Sequence, residues 1–295
     1  MRKTFANMME HMASIDDRLV VLIGDISHYL LKDFELKYPD RFYNVGICEQ
    51  SIVSMAAGLA MEGLKPVVHT IAPFCVERAY EQIKVDLCYQ NLDVTIVSVG
   101  GSFDYAHLGC THHCYEDVSI LRPLPNIDIY VPGTKREFSN LLVQSWNNGR
   151  PKYFKLNKDQ HSQDTKVVPE EVIVFNKGKA SNPILFVNGH LLDTVAHLSN
   201  HTIIYSPTIE PLSKQSEMTI SQLLHIHQSA VVIEENSSIG AFADKIGDIS
   251  SQCGAKIAIK KVGIPRKFCL NYGSAQDQRE ELGLTKEAIL EAIRV

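Results

Sequence analysis

The sequence predicts an α/β protein of two domains, residues 1–165 and 180–295, each a mostly parallel sheet flanked by helices. Three observations carry this. Short β-branched runs alternate with longer amphipathic stretches along the whole chain. The strand-like runs are apolar throughout, as a parallel sheet covered on both faces requires. The length of 295 residues corresponds to two domains at roughly 150 residues each.

Taken in order, residues 1–18 carry a mixed polar and apolar helical pattern without the continuous apolar core of a secretory signal. Residues 19–23 (LVVLI) and 41–45 read as strands. Residues 49–61 (EQSIVSMAAGLAM) have apolar side chains at helical spacing and stop before Gly63. A strand at 66–70, one helix over 72–89 and a strand at 92–99 follow. Beyond an irregular segment come a strand at 127–131, a helix at 135–146 and a strand at 152–156. The stretch 159–181 is polar and broken by Pro169, which marks it as a linker. Alternation then resumes with strands at 184–187, 202–205, 230–235 and 256–261. Helices fall at 191–198, 213–227, 238–251 and 285–293.

Composition excludes several classes of function. Apolar residues make up 45% and charged residues 21%, a packed globular balance. With 29 Lys and Arg against 34 Asp and Glu, the formal charge is −5, which gives no electrostatic footprint for nucleic acid or an anionic membrane. A small phosphorylated substrate needs only a local cluster of cations and is not excluded. No run of about 18 apolar residues is present, so no spanning helix is expected. The seven cysteines are odd in number and mostly embedded in apolar segments, which reads as a reduced, cytoplasmic protein.

Three segments could carry chemistry. Glu49 follows a strand and opens an apolar helix. A carboxylate there is favoured by the helix dipole alone, by about 0.3–1 kcal/mol, or it is a partly buried acid beside a ligand. Cys110-Thr111-His112-His113-Cys114, with His107 just before it, holds five candidate zinc ligands. Packed so closely they could not all face one ion, and no second ligand pair stands elsewhere. A Cys–His nucleophilic pair lacks an orienting third residue. What remains is an imidazole-rich loop suited to contacting hydroxyls or relaying protons near neutral pH. Phe74 begins a helix that also carries Arg78 and Tyr80; by default these are a core aromatic and two surface residues.

Read together, these segments resemble one family. Val45-Gly46-Ile47-Cys48-Glu49-Gln50 before an Ala-Ala-Gly-Leu-Ala helix, and Thr111-His112 before Glu116-Asp117-Val118-Ser119-Ile120-Leu121-Arg122-Pro123, are similar to the pyrimidine-binding domain of transketolases and deoxyxylulose-phosphate synthases. Phe74 and Arg78-Ala79-Tyr80 fall between these blocks at matching spacing. Val232-Ile233-Glu234-Glu235-Asn236 and Val262-Gly263-Ile264-Pro265-Arg266 resemble the same family's C-terminal domain.

The resemblance implies a thiamine-diphosphate enzyme of the transferase class that moves a two-carbon ketol unit from a ketose phosphate to an aldose. The alternatives are a deoxyxylulose-phosphate synthase-like or 2-oxoacid dehydrogenase β-type subunit using a 2-oxoacid donor, or a scaffold that kept the fold and lost the site. Glu49 matches the glutamate hydrogen-bonded to the cofactor's aminopyrimidine, and Phe74 the aromatic that stacks on that ring. Asp25 matches an acidic residue near the cofactor. His112 matches the histidine on the donor sugar. Arg2, Ser27 and Lys158 fall where sugar phosphate binds, and Arg78 joins them as a substrate contact. Lys158 replaces the usual Arg, a point charge in place of a fork. Gly100 stands where transketolases tend to have His, and Leu108 where they tend to have Asp.

The family's diphosphate domain carries a Gly-Asp-Gly motif that holds Mg²⁺ or Ca²⁺. Here Gly24-Asp25-Ile26 and Gly247-Asp248-Ile249 depart from it. The resemblance therefore implies the C-terminal half of a split enzyme. A partner subunit would supply the metal and diphosphate site in an α2β2 heterotetramer.

Overall fold

The computed structural model describes residues 1–294. The apolar runs form twelve strands: β1 Leu19–Ile23, β2 Phe42–Asn44, β3 Lys65–Ile71, β4 Thr95–Val99, β5 Asp128–Tyr130, β6 Lys152–Leu156, β7 Ile173–Asn176, β8 Ile184–Val187, β9 Ile203–Tyr205, β10 Thr208–Glu210, β11 Ser229–Ser237 and β12 Ala258–Ile264. They build a seven-stranded sheet in the order β10-β5-β6-β4-β3-β1-β2 and a five-stranded sheet in the order β12-β11-β8-β9-β7. All pairings are parallel except β10 on β5 and β7 on β9, both at sheet edges. The α/β fold with two mostly parallel sheets flanked by helices, expected from the sequence, is thus the fold observed.

Burial explains the uniform strands. Every residue of β1, β4, β6 and β8 is buried, because helices cover both faces. One apolar cluster runs continuously from Leu22 of β1 through Ile52 and Ile96 to Phe186 of β8 and Val232 of β11. The two sheets therefore share a core.

In the first sheet the chain leaves β1 for β2 on one side and returns to β3 on the other. Such a switch in direction opens a crevice at the carboxyl ends of the strands, where open α/β sheets bind ligands. The helix Glu49–Met61 begins beside it.

Several elements differ from expectation, among them the short helices Lys32–Lys37, Asp117–Leu121 and Ala275–Glu281. The helix over 72–89 is broken into Ala72–Val76, Tyr80–Gln82 and a wider π-helical turn, Ile83–Cys88, because the backbone at Ala79 leaves helical geometry (φ −109°, ψ 19°). The stretch 159–181 contains β7, and its His161 and Thr165 are buried against Glu137. Strand β10 crosses from the C-terminal half to extend the first sheet. Among the described residues, no helix is long and apolar enough to cross a membrane, and none of the seven cysteines is paired.

Candidate active site

The carboxyl ends of β1, β3, β4 and β6 gather most of the residues singled out above. Glu49, the first residue of its helix, is 1% exposed. Its Oε1 accepts a hydrogen bond from the Thr70 hydroxyl (3.2 Å) at the end of β3, and its Oε2 from Arg78 Nη1 (2.6 Å). Gly24 lets the β1 backbone pass close by: a Cβ there would lie 2.9 Å from Thr70 Oγ1 and 3.2 Å from Glu49 Oε1. The helix dipole favours this carboxylate, but a burial this deep with two directed donors holds it in one place.

The Arg78 guanidinium that pairs with Glu49 also lies over the Phe74 ring, 4.1 Å from its centroid, a cation–π contact. Phe74 meets His112 edge-on at 5.1 Å, and His112 meets Tyr105 edge-on at 6.2 Å. Tyr105 Oη accepts from Arg2 Nη1 (3.4 Å), and Lys158 Nζ sits 5.0 Å above the Tyr105 ring. Glu49, Arg78, Phe74, His112, Arg2 and Lys158 thus form one continuous line of contacts, completed by Tyr105. Burial, then the charges of His107 and Arg78, lower the His112 pKa and keep its imidazole neutral.

Ser27 closes the far end but is already committed. Arg2 Nε and Nη2 both donate to its Oγ (3.2 Å each), and Ser27 Oγ stands 2.8 Å from His69 Nε2. His69 Nδ1 lies 2.7 Å from the Val97 carbonyl, so Nδ1 carries the proton and Nε2 accepts from Ser27. Complete burial pushes the His69 pKa down to about 3, which fixes that neutral tautomer. A relay from Val97 through His69 and Ser27 therefore aims Arg2 into the cleft. Lys158 is tethered in turn: its backbone N–H donates to the Asp104 carboxylate (2.9 Å) and its ammonium to the Asp104 carbonyl (2.6 Å). Burial raises the Asp104 pKa to about 6.

Asp25 stands outside this line. It is exposed, and its carboxylate accepts from Asn44 Nδ2 (3.1 Å). The Cys/His loop is spread apart: His113 and Cys114 are buried while His107 and Cys110 are exposed. Among the described residues, no three His, Cys, Asp or Glu side chains group as metal ligands.

Sequence reasoning missed His69, Thr70, Gly24 and Tyr105. A signal existed for the first: His69 is the single imidazole in the otherwise apolar strand Pro-Val-Val-His-Thr. Tyr105 gave none.

This geometry lies within a segment that matches a known family. Residues 1–162 match the model of the transketolase pyrimidine-binding domain. The chain is 27% identical over 285 residues to one of the subunits of the apulose-4-phosphate transketolase of Actinobacillus succinogenes, spanning 93% of this chain and 91% of that one. It is 29% identical over 303 residues to the 1-deoxy-D-xylulose-5-phosphate synthase of Dechloromonas aromatica, spanning 99% of itself but 48%, about half, of that enzyme. A solved structure described as a split gene transketolase, inactive beta4 tetramer, superposes with a TM-score of 0.85 at 24% identity, covering 99% of this chain and 96% of that one. That likeness is one of fold. The chain belongs to the transketolase family and corresponds to its pyrimidine-binding, C-terminal half.

Proposed function

We propose that this chain is the pyrimidine-domain subunit of a split, thiamine-diphosphate-dependent transketolase, moving a two-carbon ketol unit from a ketose phosphate to an aldose acceptor. One observation carries the proposal. The Arg78 guanidinium is a flat, nitrogen-rich group that donates to Glu49 and lies on Phe74. An aminopyrimidine would make those same two contacts, so the residues present fit the cofactor's ring. With its side chain 36% exposed, Arg78 can swing out and leave the slot.

When bound, thiamine diphosphate supplies the electron sink that no side chain offers for the carbanion left by cleaving a ketose beside its carbonyl. The remaining roles belong to this chain. Glu49, fixed by Thr70, holds a proton at the ring edge and exchanges it there. Phe74 offers the stacking face, and the displaced Arg78 becomes a cation beside the substrate. His112, neutral and adjacent, faces the sugar hydroxyls. Arg2, aimed by Ser27, and Lys158 hold the sugar's phosphate. Asp25 borders the cofactor from the end of β1. Mg²⁺ (or Ca²⁺) and the diphosphate would be held mainly by a partner subunit. The apulose-4-phosphate transketolase relative is itself one subunit of an enzyme and is matched over nearly its full length, which supports such a division of labour. An α2β2 assembly in the cytoplasm and the domain limits 1–165 and 180–295 belong to the same proposal.

A second reading, transfer to or from a 2-oxoacid, is favoured by the deoxyxylulose-phosphate synthase relatives. A donor panel on the complex copurified with the tagged chain separates the two. Turnover with ketose phosphates is the expected result; turnover with pyruvate alone would overturn the transketolase assignment. The isolated chain is expected to be inactive and to bind thiamine diphosphate weakly, and robust turnover by it alone would contradict the split-site reading.

A further inference from the structure

We infer that Tyr105 is a specificity-determining residue of the substrate cleft, donating a hydrogen bond to the substrate's phosphate and limiting the length of sugar the cleft accepts. This rests on the transketolase-type reading above and assigns a part of the site that neither the sequence nor the family match identified.

The cleft between the first helix and the ends of β4 and β6 has a volume of about 240 Å³ and is lined by Arg2, Lys3, Gly100, Asp104, Tyr105 and Lys158. Gly100 has φ +75°, and a Cβ built on it would lie 2.3 Å from Tyr105 Cε2 and 2.4 Å from Cδ2. No other residue at position 100 can coexist with the ring where it stands, both because of that collision and because the left-handed backbone favours glycine. Gly100 and Tyr105 are therefore one device: the space a side chain at 100 would fill is filled instead from Tyr105.

The hydroxyl is suited to an anion. Its oxygen accepts from Arg2 Nη1 (3.4 Å), and among the described residues it donates to no acceptor, so its proton is free. The Arg2 guanidinium at the hydroxyl and the Lys158 ammonium 5.0 Å above the ring put two cations on this side chain, a suitable setting for a phosphate dianion. The ring also meets His112 edge-on, with centroids 6.2 Å apart. A sugar anchored by its phosphate at Arg2 and Lys158 must pass this ring to reach His112 and Glu49. The bulk of the ring thus sets how many carbons fit between the two ends.

Two measurements test this. Ligand-observed NMR on the full chain, with D-ribose 5-phosphate as probe and D-ribose as control, needs no turnover. Tyr105→Phe keeps the ring and the fold and should weaken ribose 5-phosphate binding about fivefold, leaving ribose unchanged; equal affinity in the two proteins overturns the hydrogen bond. In the copurified complex, Tyr105→Phe should raise KM for phosphorylated donors about fivefold with kcat within twofold. Tyr105→Ala should raise the kcat/KM ratio of seven-carbon over five-carbon ketose phosphates about tenfold. An unchanged ratio in a complex that turns over both donors overturns the length limit. A complex inactive with every ketose phosphate defeats the transketolase reading instead, and the NMR titration then still decides the role of the hydroxyl.

Discussion

Glu49 and Asp117 are two of the protein's deeply buried carboxylates, each answered by a cation, yet the two pairs are built for opposite ends. Asp117 and Lys155 are 0% and 1% exposed. The Lys155 ammonium donates to Asp117 (2.8 Å), to Asn236 of β11 (2.7 Å) and to the Cys114 carbonyl (3.3 Å), while Tyr153 donates to the other Asp117 oxygen (2.6 Å). Burial pulls the Lys155 pKa down, but Asp117 together with Cys114 and Glu235 more than offsets it and the net shift is upward. Every donor and acceptor has a partner, and the network ties the first sheet to the second. Glu49 is buried equally deeply, but its cation comes from the surface side, on a broken helix, with a side chain 36% exposed. A closed pair is a joint. A pair with one solvent-facing member is a site that a ligand could open.

Breaking each pair sharpens the contrast. The largest expected effect is on rate: Glu49→Gln keeps the shape and removes the proton, so turnover of the complete complex should fall by about 10²–10⁴-fold, with the thermal midpoint of the chain nearly unchanged. Near-normal kcat would count against the role given to Glu49.

Lys155→Met should act only on the fold. It strands a buried carboxylate, a change of about 3–5 kcal/mol, large against a total stability of about 5–15 kcal/mol. Urea unfolding of the purified chain measures it, and a loss under 1 kcal/mol would show that the joint is not one.

Arg78→Met should cost less than Lys155→Met, because the guanidinium stands at the solvent side and water can take its place beside the Glu49 carboxylate. It should also tighten thiamine diphosphate binding to the complex, read by calorimetry, since nothing then competes for the slot. Weaker binding would make Arg78 a ligand of the cofactor rather than its stand-in.

A last effect is in pH dependence. His69 is held neutral with a pKa of about 3, against about 6.5 unfolded. Between those values the unfolded chain takes the proton and the folded chain does not, so stability falls as pH drops from 6.5 toward 3. His69→Gln should flatten that slope; an unchanged slope would place the acid sensitivity elsewhere.

What could be read from the sequence follows the same division. Glu49 stands at a strand-to-helix boundary, and the uniformly apolar runs of β1, β4 and β8 declared a parallel sheet buried on both faces. These are local signals. The break at Ala79 left no mark in an apolar pattern that continued at helical spacing through it. Strand β10 is three residues long and exists only because β5 offers it an edge. Tyr105 carries no period and no motif: its position depends on the absence of a Cβ at Gly100 and on Arg2 and Lys158, 103 and 53 residues away along the chain. Contacts that join distant segments are set by the fold, and the proposed substrate cleft consists of little else.

The most direct test is a crystal structure of the copurified complex with thiamine diphosphate bound. The account predicts Arg78 turned away from Glu49, with the cofactor's pyrimidine in its place on Phe74 and within hydrogen-bond reach of the Glu49 carboxyl. A structure in which Glu49 remains locked to Arg78 while the cofactor lies elsewhere would contradict it.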